Sequence, residues 1–309
     1  MAGATTTRIE PPPPARRRRL RWPDAVILAV VAALVAYTAH RTAAVLHYRW
    51  NWASIPPFLL RWDDEQQRWV TNLLLQGFFT TLRLSLWGIV LAAAIGTVMG
   101  LCRVGRSLFL RMLSRFYVEL VRNIPPLVFI FIFYFFISSQ IMPLLGVDAL
   151  VQDASPTMLA VIGVLFGAPE QLSAFLSGLF CLAMFEGAYI TEIVRAGIQS
   201  LDKGQWEASQ ALGLSRLRIM RHVILPQAVQ RIAPPLAGQF ISLIKDSSII
   251  SLISIQELTL SASQVATATT SIFESWITAA LLYFALCFGC SLAFARLERR
   301  LSLAHGIQR

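Results

Sequence analysis

Lysine is nearly missing from this sequence: its 309 residues contain only Lys203, after Asp202, and Lys245, after Ile244. A phosphate-cradling loop needs the run Gly-Lys-Ser/Thr, so the chain carries no P-loop of its own. Histidine is scarce too. His40, His47, His222 and His305 show no zinc-ligand spacing, and no Gly-x-Ser-x-Gly nucleophile turn occurs. With these parts absent, no catalytic residue, cofactor or metal site is expected. Four cysteines are present, Cys102, Cys181, Cys287 and Cys290, all in or beside apolar runs. Cys287-x-x-Cys290 reads as small packing residues inside a helix, and nothing suggests a disulfide scaffold.

Charge is the other deficit. Only 14 % of residues are charged, 56 % are hydrophobic, and the mean hydropathy is +0.60. Soluble domains carry about 25 % charged residues, so water is the wrong solvent for most of this chain. A bilayer span needs about 20 mainly apolar residues. Six stretches qualify: Val26–Leu46, Leu73–Leu101, Phe116–Ile137, Leu172–Val194, Pro235–Ile253 and Ser275–Ala295.

The net charge of +10 does not point to nucleic acid, because the arginines follow membrane geometry. Arg8, Arg16 to Arg19 and Arg21 precede the first span. Arg103, Arg106, Arg111 and Arg115 lie between the second and third. Arg195, Lys203, Arg216, Arg218, Arg221 and Arg231 fill the fourth-to-fifth connection, and Arg296, Arg299, Arg300 and Arg309 follow the sixth. Six alternating spans put all of these on one side, and positive charge marks the cytoplasmic side. The acidic run Asp63-Asp64-Glu65, with Asp148, Asp153 and Glu170, falls on the other. Both termini are therefore expected to be cytoplasmic.

The pattern divides into a Pro- and Arg-rich tail at 1–24, expected to be disordered, an anchor at 25–47, an external loop at 48–70, a main membrane domain at 71–300 and a short tail at 301–309. Trp50, Trp52, Trp62 and Trp69 in the external loop suit the interfacial belt. Met158–Gly167 is apolar but short and bracketed by Pro156 and Pro169, which predicts an external half-helix. Gly96-x-x-x-Gly100 permits close helix approach.

Between the fourth and fifth spans lies a polar, turn-punctuated segment at 197–226. Lys203-Gly204 and Gly213 are expected to break it into two short helices, with Pro226 limiting continuation. Ala208 and Ala211 share a face, leaving a groove-fitting surface beside the charge of Glu207. The run Glu207-Ala208-Ser209-Gln210-Ala211-Leu212-Gly213, nine further residues, then Val223-Ile224-Leu225-Pro226 resembles the signature of permease subunits of ATP-binding cassette importers. Ala188 to Ile198, Leu225-Pro226-Gln227-Ala228, Gln239 to Ser248, Thr80-Thr81-Leu82 and Glu119 to Pro125 are similar to the polar amino-acid branch of that family. The likeness covers about residues 70–300. Two departures stand out: Phe129 lies where the family commonly has Gln, and the Val26–Leu46 span is an addition.

The resemblance implies an all-α polytopic bundle, a type I importer permease core with one extra N-terminal transmembrane helix, in the inner membrane. It implies ATPase coupling through Glu207, Ala208, Ala211, Leu212, Gly213, Leu225 and Pro226. Its implied partners are a cytoplasmic ATPase dimer, a second permease subunit (identical or paralogous), an external substrate-binding protein, an amino-acid substrate and membrane lipid. An ion-coupled secondary transporter or channel, or a membrane-embedded enzyme, would leave the Glu207–Pro226 pattern unexplained.

Four ionisable residues fall about ten residues inside predicted spans, roughly 15 Å from a membrane face. They are Arg83, Glu186, Lys245 and Asp246. Intramembrane charges face protein or a water-filled path. Arg83 or Lys245 suits a substrate carboxylate, and Glu186 or Asp246 an ammonium; alternatively they pair with one another, for example Glu186 with Lys245.

Overall fold

The computed structural model describes residues 22–45, 48–65 and 67–304. The basic residues at 1–21, together with His47, His305 and Arg309, lie outside the described residues. Residues up to Trp50 form one unit and those from Asn51 another. In the first, Trp22–Val45 is a single helix, α1. Its 24 residues give about 36 Å at a 1.5 Å rise, of which Trp22–Thr38 is the apolar part.

The second unit opens with a 3-10 turn (Trp52–Ser54), a short helix α2 (Pro56–Leu59) and an antiparallel hairpin, β1 (Leu60–Asp63) with β2 (Arg68–Thr71). The long helix α3 (Leu73–Val104) follows, its first amide capped by the Asn72 side chain. Next come α4 (Leu108–Asn123), α5 (Pro126–Ile132), a π-helical stretch (Phe133–Ser138) and α6 (Ser139–Leu145). The sequence pattern placed the third span at Phe116–Ile137, but the apolar run that spans is Pro126–Leu145. Pro125 is the cause. It holds Ile124 extended (φ −96°, ψ 136°) and separates an amphipathic helix from the span. On α4, Ser114, Tyr117, Val118 and Val121 are buried, one face of a 3.6-residue repeat, while Phe116 and Leu120 are exposed.

Helices α7 (Val147–Gln152) and α8 (Pro156–Leu165) are short. Helix α9 (Leu172–Gln199) follows, then α10 (Lys203–Ala211) and α11 (Arg216–Ile219). A π-helical turn (Met220–Ile224) joins α11 to α12 (Leu225–Asp246), which ends in a 3-10 stretch (Ser247–Ile253). Helices α13 (Leu258–Thr269) and α14 (Ile272–Ala304) complete the described chain. Among the described residues, five runs are long and apolar enough to cross a membrane: Leu73–Val104, Pro126–Leu145, Pro169–Gln199, Arg216–Ile253 and Ile272–Arg296. Proline does not stop the fourth of these. Pro226 follows the widened turn at Met220–Ile224, where the hydrogen-bond ladder is already offset, and Pro234 and Pro235 lie on an exposed face. The expected break at Pro226 is therefore absent.

Helix α9 is the hub: 72 % of its apolar stretch is buried, against 6 % for α14. Gly88, Ala92, Gly96 and Gly100 form a buried stripe on α3 at four-residue spacing. A Cβ on Gly96 would fall 2.5 Å from Ile190 and one on Gly100 2.6 Å from Val194, so the two backbones meet because a side chain is missing there. The close approach expected from Gly96-x-x-x-Gly100 is thus present. Leu182, Leu243, Ile130 and Ile250 fill the remaining space between α9, α12 and α5.

Candidate functional site

The 200–226 segment forms an elbow at one end of the bundle. Asp202, rather than Lys203-Gly204, marks the break: its side chain accepts the Gly204 amide at 2.7 Å and starts α10. The helix ends where Gly213 takes a left-handed conformation, φ +73°, with open space where a Cβ would stand. The chain then turns into α11 and runs without a break into α12. So the first of the two expected short helices is present, whereas the second is the foot of a long one.

The elbow has two unlike sides. Its underside is apolar and packed: Leu201, Ile219 and Ile224 are buried with Ile198 and Ala228, and Trp206 and Leu214 pack against them. Arg231 donates to the Ser200 carbonyl at 2.6 Å, and Gln227 to the Gln205 side chain at 3.2 Å. Its outer side is bare. Glu207, Ala208, Ala211 and Gly213 are exposed, and Leu212 is 80 % exposed. Leu217, which the motif did not single out, is 79 % exposed beside Arg216 and Arg218. Two free leucines on a braced turn form a knob that water does not favour. Leu225 is half-buried and Pro226 exposed at the start of α12, so both belong to the frame of the elbow rather than its knob. Nearby, Glu192 of α9 lies between Arg195 at 2.7 Å and Arg103 of α3 at 3.0 Å.

Among the mid-span charges, Glu186 is fully buried on α9. One carboxylate oxygen accepts a hydrogen bond from the Gln239 amide of α12 at 2.5 Å; the other has no donor among the described residues. Asp246 is within electrostatic reach, and Lys245 is exposed near Cys287 of α14. No ion pair joins Glu186 to Lys245 among the described residues. Sequence reasoning missed Gln239, although it lies in the quoted Gln239 to Ser248 run. It is seven residues, two helical turns, before Asp246 and so on the same face.

Arg83 is engaged elsewhere. Its Nε donates to the Val164 carbonyl at 3.0 Å, and Trp87 donates to the Leu165 carbonyl at 3.1 Å. Trp87 also stacks on Phe166, with ring centroids 5.5 Å apart. These α3 side chains close the last turn of α8, whose terminal carbonyls have no helical partners. The half-helix therefore meets α3 about 15 to 21 Å along its length from Leu73. A small cleft, about 110 Å³, lies between Thr80, Phe166, Gly167, Gln171 and Gln256, away from Glu186 and Asp246.

At the rim, the end opposite the elbow, a second buried carboxylate was not anticipated. Glu257 accepts from Tyr283 at 2.6 Å, from the Leu260 amide at 3.0 Å and from Thr81 at 3.3 Å. Burial holds its carboxyl above the usual carboxylate range, opposed by hydrogen bonds from Thr259, Tyr283 and Leu260. Glu274, also buried, accepts the Asn51 amide at 2.5 Å.

Comparison with known proteins supplies the context. Residues 86–303 match the family model for the binding-protein-dependent transport system inner membrane component. A putative glutamine transport system permease protein of Rickettsia typhi is 32 % identical, covering 69 % of this chain and 85 % of its own length. A probable glutamine ABC transporter permease protein of Bacillus subtilis is also 32 % identical, over 76 % of this chain and 95 % of its own. The glutamate/aspartate import permease protein of Escherichia coli is 30 % identical over 82 % and 96 %. Among solved structures, an amino acid ABC transporter superposes with a TM-score of 0.58 at 30 % identity, covering 74 % of this chain and 94 % of that one. A methionine ABC transporter in an inward-facing state, 19 % identical with a TM-score of 0.51, shares the fold. With the matched region holding α9, the elbow and α12 to α14, this chain belongs to the family of binding-protein-dependent transport system inner membrane components.

Proposed function

We propose that this chain is the membrane subunit of an ATP-driven importer of polar amino acids. Both termini and the elbow face the cytoplasm, and the rim faces outward. ATP is hydrolysed by a separate ATPase dimer, a second permease completes the pore, and an external binding protein delivers the solute. The observation that carries this reading is the elbow: two exposed leucines on a turn packed and hydrogen-bonded from below. Such a knob suits a groove on another protein. Because α11 runs into α12, displacement of the knob is displacement of a spanning helix. Differential docking of the knob in the two ATPase states then supplies the coupling free energy for alternating access.

The relatives named for glutamine and for glutamate/aspartate, and the amino acid transporter structure, support an amino-acid cargo. Within the path, the oxygen of Glu186 that lacks a donor, with Asp246 beside it, suits the substrate ammonium. Lys245, exposed on α12, suits the carboxylate. Arg83, anchored through Nε, keeps its terminal nitrogens for a passing carboxylate.

The test is reconstitution with the partner ATPase and binding protein. L212D/L217D is expected to abolish ATPase co-purification and reduce ATP-driven uptake at least 100-fold while the bundle stays folded. Unchanged uptake by that variant rejects the proposed docking.

A further inference from the structure

The hairpin preceding the first long span is two-faced. Cross-strand pairing sets Trp62 opposite Trp69 and Leu60 opposite Thr71, whereas Arg61 faces Val70 and Asp63 faces Arg68. Since side chains alternate across a strand, Leu60, Trp62 and Trp69 share one face and Arg61, Asp63 and Arg68 the other. The apolar face is uncovered: Leu60 is 43 % exposed, Trp62 45 % and Trp69 66 %. The two indoles meet edge to face, 5.7 Å between centroids, so they stand as one aromatic block.

The height of the block is fixed from both ends. Thr71 closes β2 and Leu73 opens α3, so Trp69 lies at most about 13 Å of extended chain from the start of a span. On the other flank, Asn51 donates to Glu274 and Ser54 to Ser271, at the first turn of α14. The segment is thereby stapled where two spanning helices emerge. There the exposed Ile272, Trp276 and Ile277 of α14 already present apolar surface.

We infer that this hairpin is a lipid-binding surface, lying in the outer headgroup layer with Leu60, Trp62 and Trp69 toward the acyl chains. Indole suits that layer because its ring is apolar and its N–H is polar. Arg61 and Arg68, on the opposite face, remain among headgroups and water. The surface continues the lipid-facing sides of α3 and α14. It rests on their being spans, not on what the chain transports.

The probe is a nanodisc of phosphatidylcholine and phosphatidylglycerol holding the permease complex, with lipids brominated at acyl carbons 6,7 or 11,12. The readout is the emission difference between wild type and W62F/W69F, with W69F alone as a second, milder variant. The difference is expected to fall at least twofold with the shallow bromines, less with the deep ones, and little with aqueous iodide. A difference insensitive to bromine but quenched by iodide overturns the inference. Protection from iodide that arises only on adding the external binding protein overturns it too, in favour of protein docking. Either failure leaves the elbow test untouched, since L212D/L217D reports on ATPase docking alone.

Discussion

The rim and the elbow are built on opposite plans. At the rim, polar groups find partners inside the chain: Glu257 with Tyr283 and Thr81, Glu274 with Asn51, Gln171 with Gln256 at 3.3 Å. At the elbow, Glu207, Leu212 and Leu217 face outward, and only the underside is tied down. A buried carboxylate without donors costs more than its hydrogen bonds return, so the rim is knotted shut. An exposed leucine costs little to hold on a pre-braced turn and becomes favourable once a partner covers it. The contrast separates an end whose buried carboxylates are bonded within the chain from one that leaves apolar side chains exposed on a braced turn.

The largest way to break that contrast is Gly213→Pro. Proline fixes φ near −65°, which the φ of +73° cannot accept, and removes the amide that bonds Gln210 at 2.9 Å. ATP-driven uptake should fall at least 100-fold with α9 and the rim intact. Uptake within threefold of wild type would refute the elbow as lever. Between the two ends, Glu186→Gln keeps the Gln239 contact but removes the carboxylate proposed to meet the substrate ammonium. Uptake in proteoliposomes should drop about 10-fold, a difference of about 1.4 kcal/mol in transition-state stabilisation. Unaltered rates would dismiss Glu186 as a substrate ligand.

At the rim the effect belongs to stability rather than coupling. Glu257→Ala strands Tyr283 and the Leu260 amide and should cost about 2 to 3 kcal/mol. A lowered unfolding temperature with undisturbed ATPase co-purification is the expected pattern; loss of co-purification instead would erase the distinction between ends. The smallest effect is in pH. Because burial raises the Glu257 carboxyl, its stabilising contribution is complete below the unfolded value near 4.5 and is lost as pH rises through the folded one. The unfolding-temperature difference between wild type and Glu257→Gln should therefore favour wild type most in acid and shrink toward neutral pH. A difference constant from pH 4 to 8 contradicts it.

How much of this was readable in the chain depends on distance along it. The elbow is contiguous, so residue type and spacing in Glu207 to Pro226 mark it directly. Its turn glycine and its exposed Leu212 stand where the motif places them, whereas Leu217, the Asp202 cap and the unbroken helix through Pro226 escaped. The glycine stripe facing α9 is likewise local to one helix. The rim was illegible because its bonds join residues 176 and 26 positions apart, Thr81 with Glu257 and Glu257 with Tyr283. Periodicity within a segment says nothing about which segments meet. Arg83 shows the same limit: its depth was legible, but its partner, the end of α8, lies 81 positions away. The boundary at Pro125 was a signal present in the sequence, overridden by the apolar run on either side of it.

The run from Arg216 to Ile253 has 38 residues without a break, about 57 Å of helix against a hydrocarbon core of about 30 Å. Within its first half only the widened turn at Met220–Ile224 departs from α geometry. A torsion bar of that length carries a twist applied at its foot out to the far side of the bilayer. In the proposed coupling, the widened turn near its foot, with Pro234 and Pro235 farther along, sets how many degrees of rotation are dissipated before the far side moves.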